Sequence, residues 1–171
     1  MDGYEVCKIL KKSEITKHIP VIMATALDDK ASKRNGLEAG AVGFSTGLFY
    51  APSHKAPTEE VIEISRSLKA FGARYVTHMR NESDQIMDSL EETFTIGREA
   101  DVPVIVSHHK VQGKHNFGKS CETLACFEKH MHHQDIGLDI YPYSASSTVL
   151  KEDSIVLAEK VKITLAKARA D

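Results

Sequence analysis

The chain has 171 residues, of which 42% are apolar and 27% charged, with a formal net charge of −2. That length supports one ordinary core, and so mild a charge gives no reason to expect nucleic acid or a membrane surface as partner. No apolar run approaches the roughly 20 residues of a membrane span. The N-terminus, Met1-Asp-Gly-Tyr-Glu5, has neither the basic nor the apolar stretch of a secretory signal. Three cysteines (Cys7, Cys121 and Cys126) are an odd and sparse set, which fits a reduced, cytoplasmic protein.

Residues 3–12 are expected to form a short amphipathic helix with Val6, Ile9 and Leu10 on its apolar side. The near-continuous apolar run Ile19-Pro-Val-Ile-Met-Ala-Thr-Ala26 has the character of a strand covered on both faces. Asp28 and Asp29 place negative charge at the start of a second helix reaching Ala39, and Gly40 stands where a C′ glycine ends a helix. A short strand over 41–47 follows, then a loop over 48–57 holding Pro52 and Pro57. Thr58 is positioned to N-cap a helix that carries Glu59 and Glu60 in its first turn. Val61, Ile64 and Leu68 share one face of that helix, and Gly72 ends it.

The period then repeats. A strand over 74–78 leads to a helix over 84–99 with Ile86, Leu90 and Phe94 at fourfold spacing. A strand over 102–107 leads through the loop His115-Asn-Phe-Gly118 to a helix from about Lys119 to His133. Leu124, Phe127 and Met131 are expected to face inward from it, and a strand over 136–141 comes next. The tail from Glu152 reads two ways. Ile155, Ala158, Val161 and Leu165 fit a helix, whereas Val161, Ile163 and Leu165 alternate like a strand; the balance favours helix through about Lys160. Five strands alternating with helices predict an α/β fold with a parallel sheet, forming one folded unit that is either a partial (β/α) barrel or a flavodoxin-like open sheet. Such an arc leaves sheet edges exposed, so self-association is expected. No Gly-rich phosphate loop is present.

The chemistry concentrates on two strand ends. Arg74-Tyr-Val-Thr-His78 and Val102-Pro-Val-Ile-Val-Ser-His108 are β-branched runs that each finish on a histidine. The two histidines stand 30 residues apart (108 − 78), about one βα unit. Strand C-termini in a parallel sheet open onto one face, where metals and substrates bind. His78 and His108 are therefore candidates for two metal ligands, set against the alternative of two hydrogen-bonded histidines. His109, next along the chain, should point to the opposite side and be structural. Cys126, His130 and His133 fall at i, i+4 and i+7 on one helix face with His132 beside them, a spacing that can make a metal clip; a polar helix end facing the helix dipole, with adventitious nickel binding, is the favoured reading. Glu91, Glu92, Glu159 and Lys160 read as solvated helix faces.

Two resemblances meet near Gly40. Met1-Asp-Gly-Tyr-Glu-Val-Cys7, Thr16-Lys-His-Ile-Pro-Val-Ile-Met-Ala-Thr-Ala-Leu-Asp28 and Gly36-Leu-Glu-Ala-Gly40 resemble part of a response-regulator receiver domain, over residues 1–40. Thr25 matches that family's switch hydroxyl, although a plain hydroxyl at a strand end is the favoured reading. The receiver's acidic pair and phospho-accepting aspartate have no counterpart here, and Ser45-Thr-Gly47 stands where its lysine is expected, so a phosphorelay role is disfavoured.

From there on the chain resembles the D-aminoacylases, the N-acyl-D-amino-acid deacylases of the amidohydrolase superfamily. The matching text is Gly40-Ala-Val-Gly-Phe-Ser-Thr-Gly-Leu-Phe-Tyr50, Tyr75-Val-Thr-His-Met-Arg80, Val106-Ser-His-His-Lys110, Asn116-Phe-Gly-Lys-Ser120 and Gly137-Leu-Asp-Ile-Tyr-Pro-Tyr-Ser-Ala-Ser-Ser-Thr148. The resemblance implies a zinc-dependent TIM barrel, with residues 41–171 matching strands four to seven. It implies hydrolysis of N-acyl-D-amino acids, with zinc polarising the amide carbonyl and activating water. His78 and His108 then correspond to zinc ligands. Lys110, Tyr141 and Ser147 correspond to groups that hold the substrate carboxylate, and Phe49 to a wall of the side-chain pocket. The family's His-x-His, its cysteine ligand and its catalytic aspartate have no match, which leaves zinc one ligand short of three and no catalytic residue to carry over. The resulting expectation is an inactive fragment of a zinc hydrolase in which zinc binding is weak or absent, with a non-catalytic chimeric scaffold as the alternative.

Overall fold

The computed structural model describes residues 2–24, 30–143, 145–148 and 152–157. Five short strands, β1 (Ile22–Ala24), β2 (Gly43–Gly47), β3 (Arg74–His78), β4 (Val104–Val106) and β5 (Ile136–Leu138), form one parallel sheet in the order β1-β2-β3-β4-β5. Helices α1 (Gly3–Lys12), α2 (Lys30–Glu38), α3 (Ala51–His54), α4 (Thr58–Lys69), α5 (Ile86–Ala100), α6 (Ser120–Met131) and α7 (Glu152–Leu157) alternate with the strands, and a 3₁₀ turn spans Lys114–Asn116. None of the described helices is long and apolar enough to cross a membrane. The expected α/β fold with a parallel sheet is what the chain forms.

Register aligns the strand ends. Gly47 pairs with His78, Thr77 with Val106, and Val106 with Leu138, so the residues just beyond β2 to β5 emerge on one rim. The sheet packs tightly against its neighbours: a Cβ on Gly43 would lie 2.4 Å from the Arg74 carbonyl oxygen, so only glycine allows this approach. One apolar cluster joins Phe44, Tyr75 and Val104 of the sheet to Val61, Ile64 and Leu68 of α4 and Ile96 of α5. A second gathers Met79, Ile86, Leu90 and Phe94 with Val106, Phe127 and Ile136 beneath the rim. Truncating one of these fully buried leucines to alanine is expected to cost about 2–5 kcal/mol.

The first helix buries Cys7, which lies with Ala39 and Ala41 against Val21 and Met23, whereas Val6 and Ile9 are exposed. The expected apolar side of that helix was therefore mis-set by about one position. β1 is an edge strand with Ile22 45% exposed, not a strand covered on both faces. The 48–57 segment contains α3 rather than being wholly loop. Thr58 does not cap α4; its hydroxyl instead donates to Glu92 Oε1 at 2.8 Å, and Pro57 occupies the N-cap. On α6, Phe127 is buried, but Leu124 and Met131, expected to face inward, are 46% and 56% exposed. Gly40 takes the positive φ of 96° that a helix-ending glycine allows. Thr25, Asp28, Asp29 and the tail beyond Leu157 lie outside the described residues.

Candidate metal centre

β3 delivers His78 to the rim, and the chain then turns sharply before α5. Met79 is fully buried and pins the turn from below. The Arg80 guanidinium clamps it from the side, donating to Glu92 Oε1 at 2.7 Å and to the carbonyls of Ala56 (2.9 Å) and His54. This makes Glu92 a nearly buried structural partner and not part of a solvated face. Asn81 Oδ1 accepts from the backbone N–H of Ser83 at 2.8 Å and of Gln85 at 3.2 Å, an Asx-type turn. Gln112 N–H donates to the Glu82 carbonyl at 2.7 Å. The outcome is that Glu82, invisible as a site residue in the sequence, turns its carboxylate under the rim with a side chain 0% exposed.

His108 arrives by a different device. It follows β4 in a left-handed conformation (φ 44°), a costly state for a residue with a Cβ. Two bonds from the end of β5 hold it: the His108 N–H donates to Asp139 Oδ1 at 2.6 Å, and the His109 N–H to the Asp139 carbonyl at 2.7 Å. His109 turns away, as expected, and lies 2.9 Å from the Thr123 hydroxyl with its ring edge on Phe127. Burial pushes its imidazole down from the ordinary value.

The His78 and His108 rings meet edge to face at 4.4 Å. Glu82 Oε2 lies 3.4 Å from His78 Nε2, and Glu82 Oε1 lies 3.2 Å from His108 Nδ1. Lys110 Nζ sits 2.6 Å from Glu82 Oε2 and 3.0 Å from His108 Nδ1, and Gln112 donates to Glu82 Oε2 at 3.0 Å. Burial alone would push the Glu82 carboxyl up. The polar contacts from His108, His78 and Lys110 outweigh it and hold the carboxyl well below the usual carboxylate range.

The cluster is incompletely satisfied in a way that suits a cation. His78 Nε2 and Glu82 Oε1 are buried and lack a hydrogen-bond partner, the ion-pair distances notwithstanding, because alignment fails. His108 Nδ1 lies between an ammonium and a carboxylate; a ring nitrogen carries either a proton or a lone pair, so it satisfies one neighbour only. Two ligands about 2.1 Å from a tetrahedral metal stand about 3.4 Å apart. The separations of 3.4 and 3.2 Å fit that spacing, and one ligand atom from each of His78, Glu82 and His108 lies within 4.8 Å of the other two. Glu82 thus adds a third ligand-type group beside the two histidines, where the sequence alone offered two. Cys7, Cys121 and Cys126 take no part in this set.

All six residues singled out from the sequence line one cleft of about 170 Å³: Phe49, His78, His108, Lys110, Tyr141 and Ser147. Phe49 stacks on His78 at 4.8 Å, and Lys110 Nζ lies 5.7 Å from the Tyr141 ring centroid. Burial first, and the Glu82 charge second, push the Tyr141 phenol above its ordinary value. A hollow of about 320 Å³ beside Arg80 and Glu92 is larger, but its charged pair is already mutually bonded. The helix cluster foreseen as Cys126, His130 and His133 also changes: Glu91 of α5, not His133, completes it.

No protein-family model matches the chain. D-aminoacylase of Alcaligenes xylosoxydans xylosoxydans is 49% identical over 154 residues, 87% of this chain and 32% of that protein. Among solved structures, a D-aminoacylase mutant in complex with copper chloride superposes with a TM-score of 0.71 at 45% identity, covering 92% of this chain and 33% of the other. N-acyl-D-glutamate deacylase from Bordetella bronchiseptica, solved with zinc and a phosphonate inhibitor, gives 0.64 at 38% identity over 67% of this chain and 24% of the other. A short stretch of 46 residues is 50% identical to the response regulator PleD of Caulobacter vibrioides, covering 27% of this chain and 10% of that protein. The chain spans about a third of the length of the curated D-aminoacylase it matches. Over that third, it is homologous to the D-aminoacylases and N-acyl-D-amino-acid deacylases, which are metal-dependent amidohydrolases.

Proposed function

We propose that this chain carries the metal-binding and carboxylate-binding half of a site for N-acyl-D-amino acids, on an arc of barrel built by residues 41–171 and extended by a receiver-like segment over 1–40. The observation behind it is the convergence of His78, His108 and Glu82 on Lys110 at the ends of β3 and β4. His78, His108 and Glu82 are the residues that would hold zinc. Bound there, a divalent ion supplies Lewis acidity toward an amide carbonyl. Lys110, Tyr141 and Ser147 bring a cation and two hydroxyls to the same cleft, a set suited to the carboxylate of the substrate. Phe49 forms its apolar wall.

Lys110 is tied to Glu82 at 2.6 Å, so metal and substrate binding are coupled. A cation that takes Glu82 releases the Lys110 ammonium toward an incoming carboxylate. Among the described residues lining the cleft, Glu82 is the one carboxylate. Committed to the metal, it cannot also take a proton from water, and so we infer that the chain binds without turning substrate over. Incubating zinc-loaded protein with N-acetyl-D-methionine tests this, with released amine and bound metal measured together. Stoichiometric zinc without amine release is expected. Turnover lost on chelation overturns the inactivity, and failure to retain zinc overturns the site itself.

One observation favours a second reading, a chimeric scaffold or interaction module. Lys110 already neutralises Glu82, so the fold does not require a metal. The edges at β1 and β5, with Ile22 exposed on the first, support self-association, which sedimentation of the purified chain measures. In both readings the chain works in the cytoplasm without nucleic acid or membrane as partner.

A further inference from the structure

A separate group of ligand-type side chains lies on the helices. Cys126 and His130 stand one turn apart on α6, and Glu91 of α5 meets them. Cys126 Sγ lies 3.7 Å from Glu91 Oε1, and His130 Nε2 lies 3.5 Å from Glu91 Oε2. One ligand atom from each lies within 4.8 Å of the other two. A tetrahedral zinc with bonds of about 2.3 Å to sulfur and about 2.0 Å to nitrogen and oxygen spaces its ligands about 3.3–3.5 Å apart. Movements of a few tenths of an ångström bring the two separations from Glu91 to those values.

The histidine is already set for ligation. Its Nδ1 lies 2.9 Å from the Cys126 carbonyl oxygen, and a carbonyl only accepts, so Nδ1 carries the proton. In a neutral ring that leaves the Nε2 lone pair directed at Glu91. A backbone carbonyl that fixes the tautomer from behind is the support that metal-binding histidines use. The ring also rests on Phe94, with centroids 4.6 Å apart, which holds its plane. Cys126 and His130 are half-buried, while Glu91 is exposed.

We propose that Glu91, Cys126 and His130 form a second metal site, a clip between α5 and α6 that takes a borderline-soft divalent ion such as zinc, cobalt or cadmium. The mixed sulfur, nitrogen and oxygen donors select such ions over magnesium or calcium. The site rests on helix faces and owes nothing to the cleft at β3 and β4, so either can fail without the other. A cobalt titration of the full chain tests it. A thiolate-to-cobalt charge-transfer band is expected, persisting in His78→Ala and Cys121→Ser and vanishing in Cys126→Ser. Absence of the band from the unmodified chain, or its survival in Cys126→Ser, overturns the proposal. Thiol alkylation of the unmodified chain covers the case in which that variant fails to fold. Cadmium at 100 times its dissociation constant is expected to slow alkylation of Cys126 by about 100-fold, with exposed Cys121 unaffected. Equal Cys126 rates with and without cadmium also overturn it.

Discussion

Replacing Glu82 with glutamine conserves volume and removes one charge from the centre of the cleft. The carboxylate is 0% exposed and faces Lys110 at 2.6 Å, Gln112 at 3.0 Å, His108 at 3.2 Å and His78 at 3.4 Å. Losing a charge-assisted bond costs about 1.5–3 kcal/mol, and removing one partner of a fully buried pair about 3–5 kcal/mol. Lys110 is 19% exposed and regains some hydration, which places Glu82→Gln at about 2–3 kcal/mol. For a chain of this size that lowers the melting temperature by about 4–12 °C. The pH dependence has a definite sign. The Glu82 carboxyl is held below its ordinary value of 4.5, so the unfolded chain takes up the proton first as pH falls. The contribution is therefore complete above about pH 4.5 and is lost as pH falls from there toward the folded value. Thermal melts of the chelator-treated protein, followed by circular dichroism from neutral pH downward, should show the gap between the two chains fully open at pH 7 and closing below about pH 4.5. Equal melting at neutral pH, or a gap that widens on acidification, refutes the reasoning.

Other perturbations probe the same architecture. His78→Ala should lower bound zinc by one equivalent in equilibrium dialysis, and unchanged binding refutes its role as ligand. Asp139→Ala removes the acceptor that holds His108 at φ 44°, and zinc affinity at the cleft is expected to fall by about 10–100-fold with little loss of helix content. Gly43→Ala forces a Cβ to 2.4 Å from the Arg74 carbonyl oxygen, and chemical denaturation should register a loss of at least about 1–3 kcal/mol. Burial pushes the Tyr75 phenol up to about 12, although the Thr46 and Thr77 hydroxyls pull it partly back. In an alkaline ultraviolet titration of the folded chain, Tyr75→Phe should therefore leave the amplitude below that pH unchanged.

Much of the candidate site could be read locally. A strand that ends on histidine places its ring on the rim of a parallel sheet, and register then sets His78 level with Gly47 and near the end of β4. The resemblance to D-aminoacylases added Phe49, Lys110, Tyr141 and Ser147, and the one cleft gathers all four. Periodicity also located the buried faces of α4 and α5, because apolar residues three and four apart share a helix side.

What escaped the sequence depends on contacts between elements. Glu82 follows His78 by four residues, but no helix or strand pattern assigns a direction to a side chain in a turn. The Arg80 clamp and the Asn81 turn aim it inward. Glu92 looks solvated along its own helix until Arg80 and Thr58 reach it from outside. Ile22 lies in an apolar run, yet sheet order makes β1 an edge and leaves that side chain exposed. Glu91 joins Cys126 and His130 only because α5 and α6 pack together. The βα alternation and the two strand-end histidines are legible in the residue order alone, since both follow from local periodicity. The placing of Glu82 beside them, and of Glu91 beside Cys126 and His130, depends on tertiary structure, because loop clamps and helix packing bring together residues that no local spacing relates.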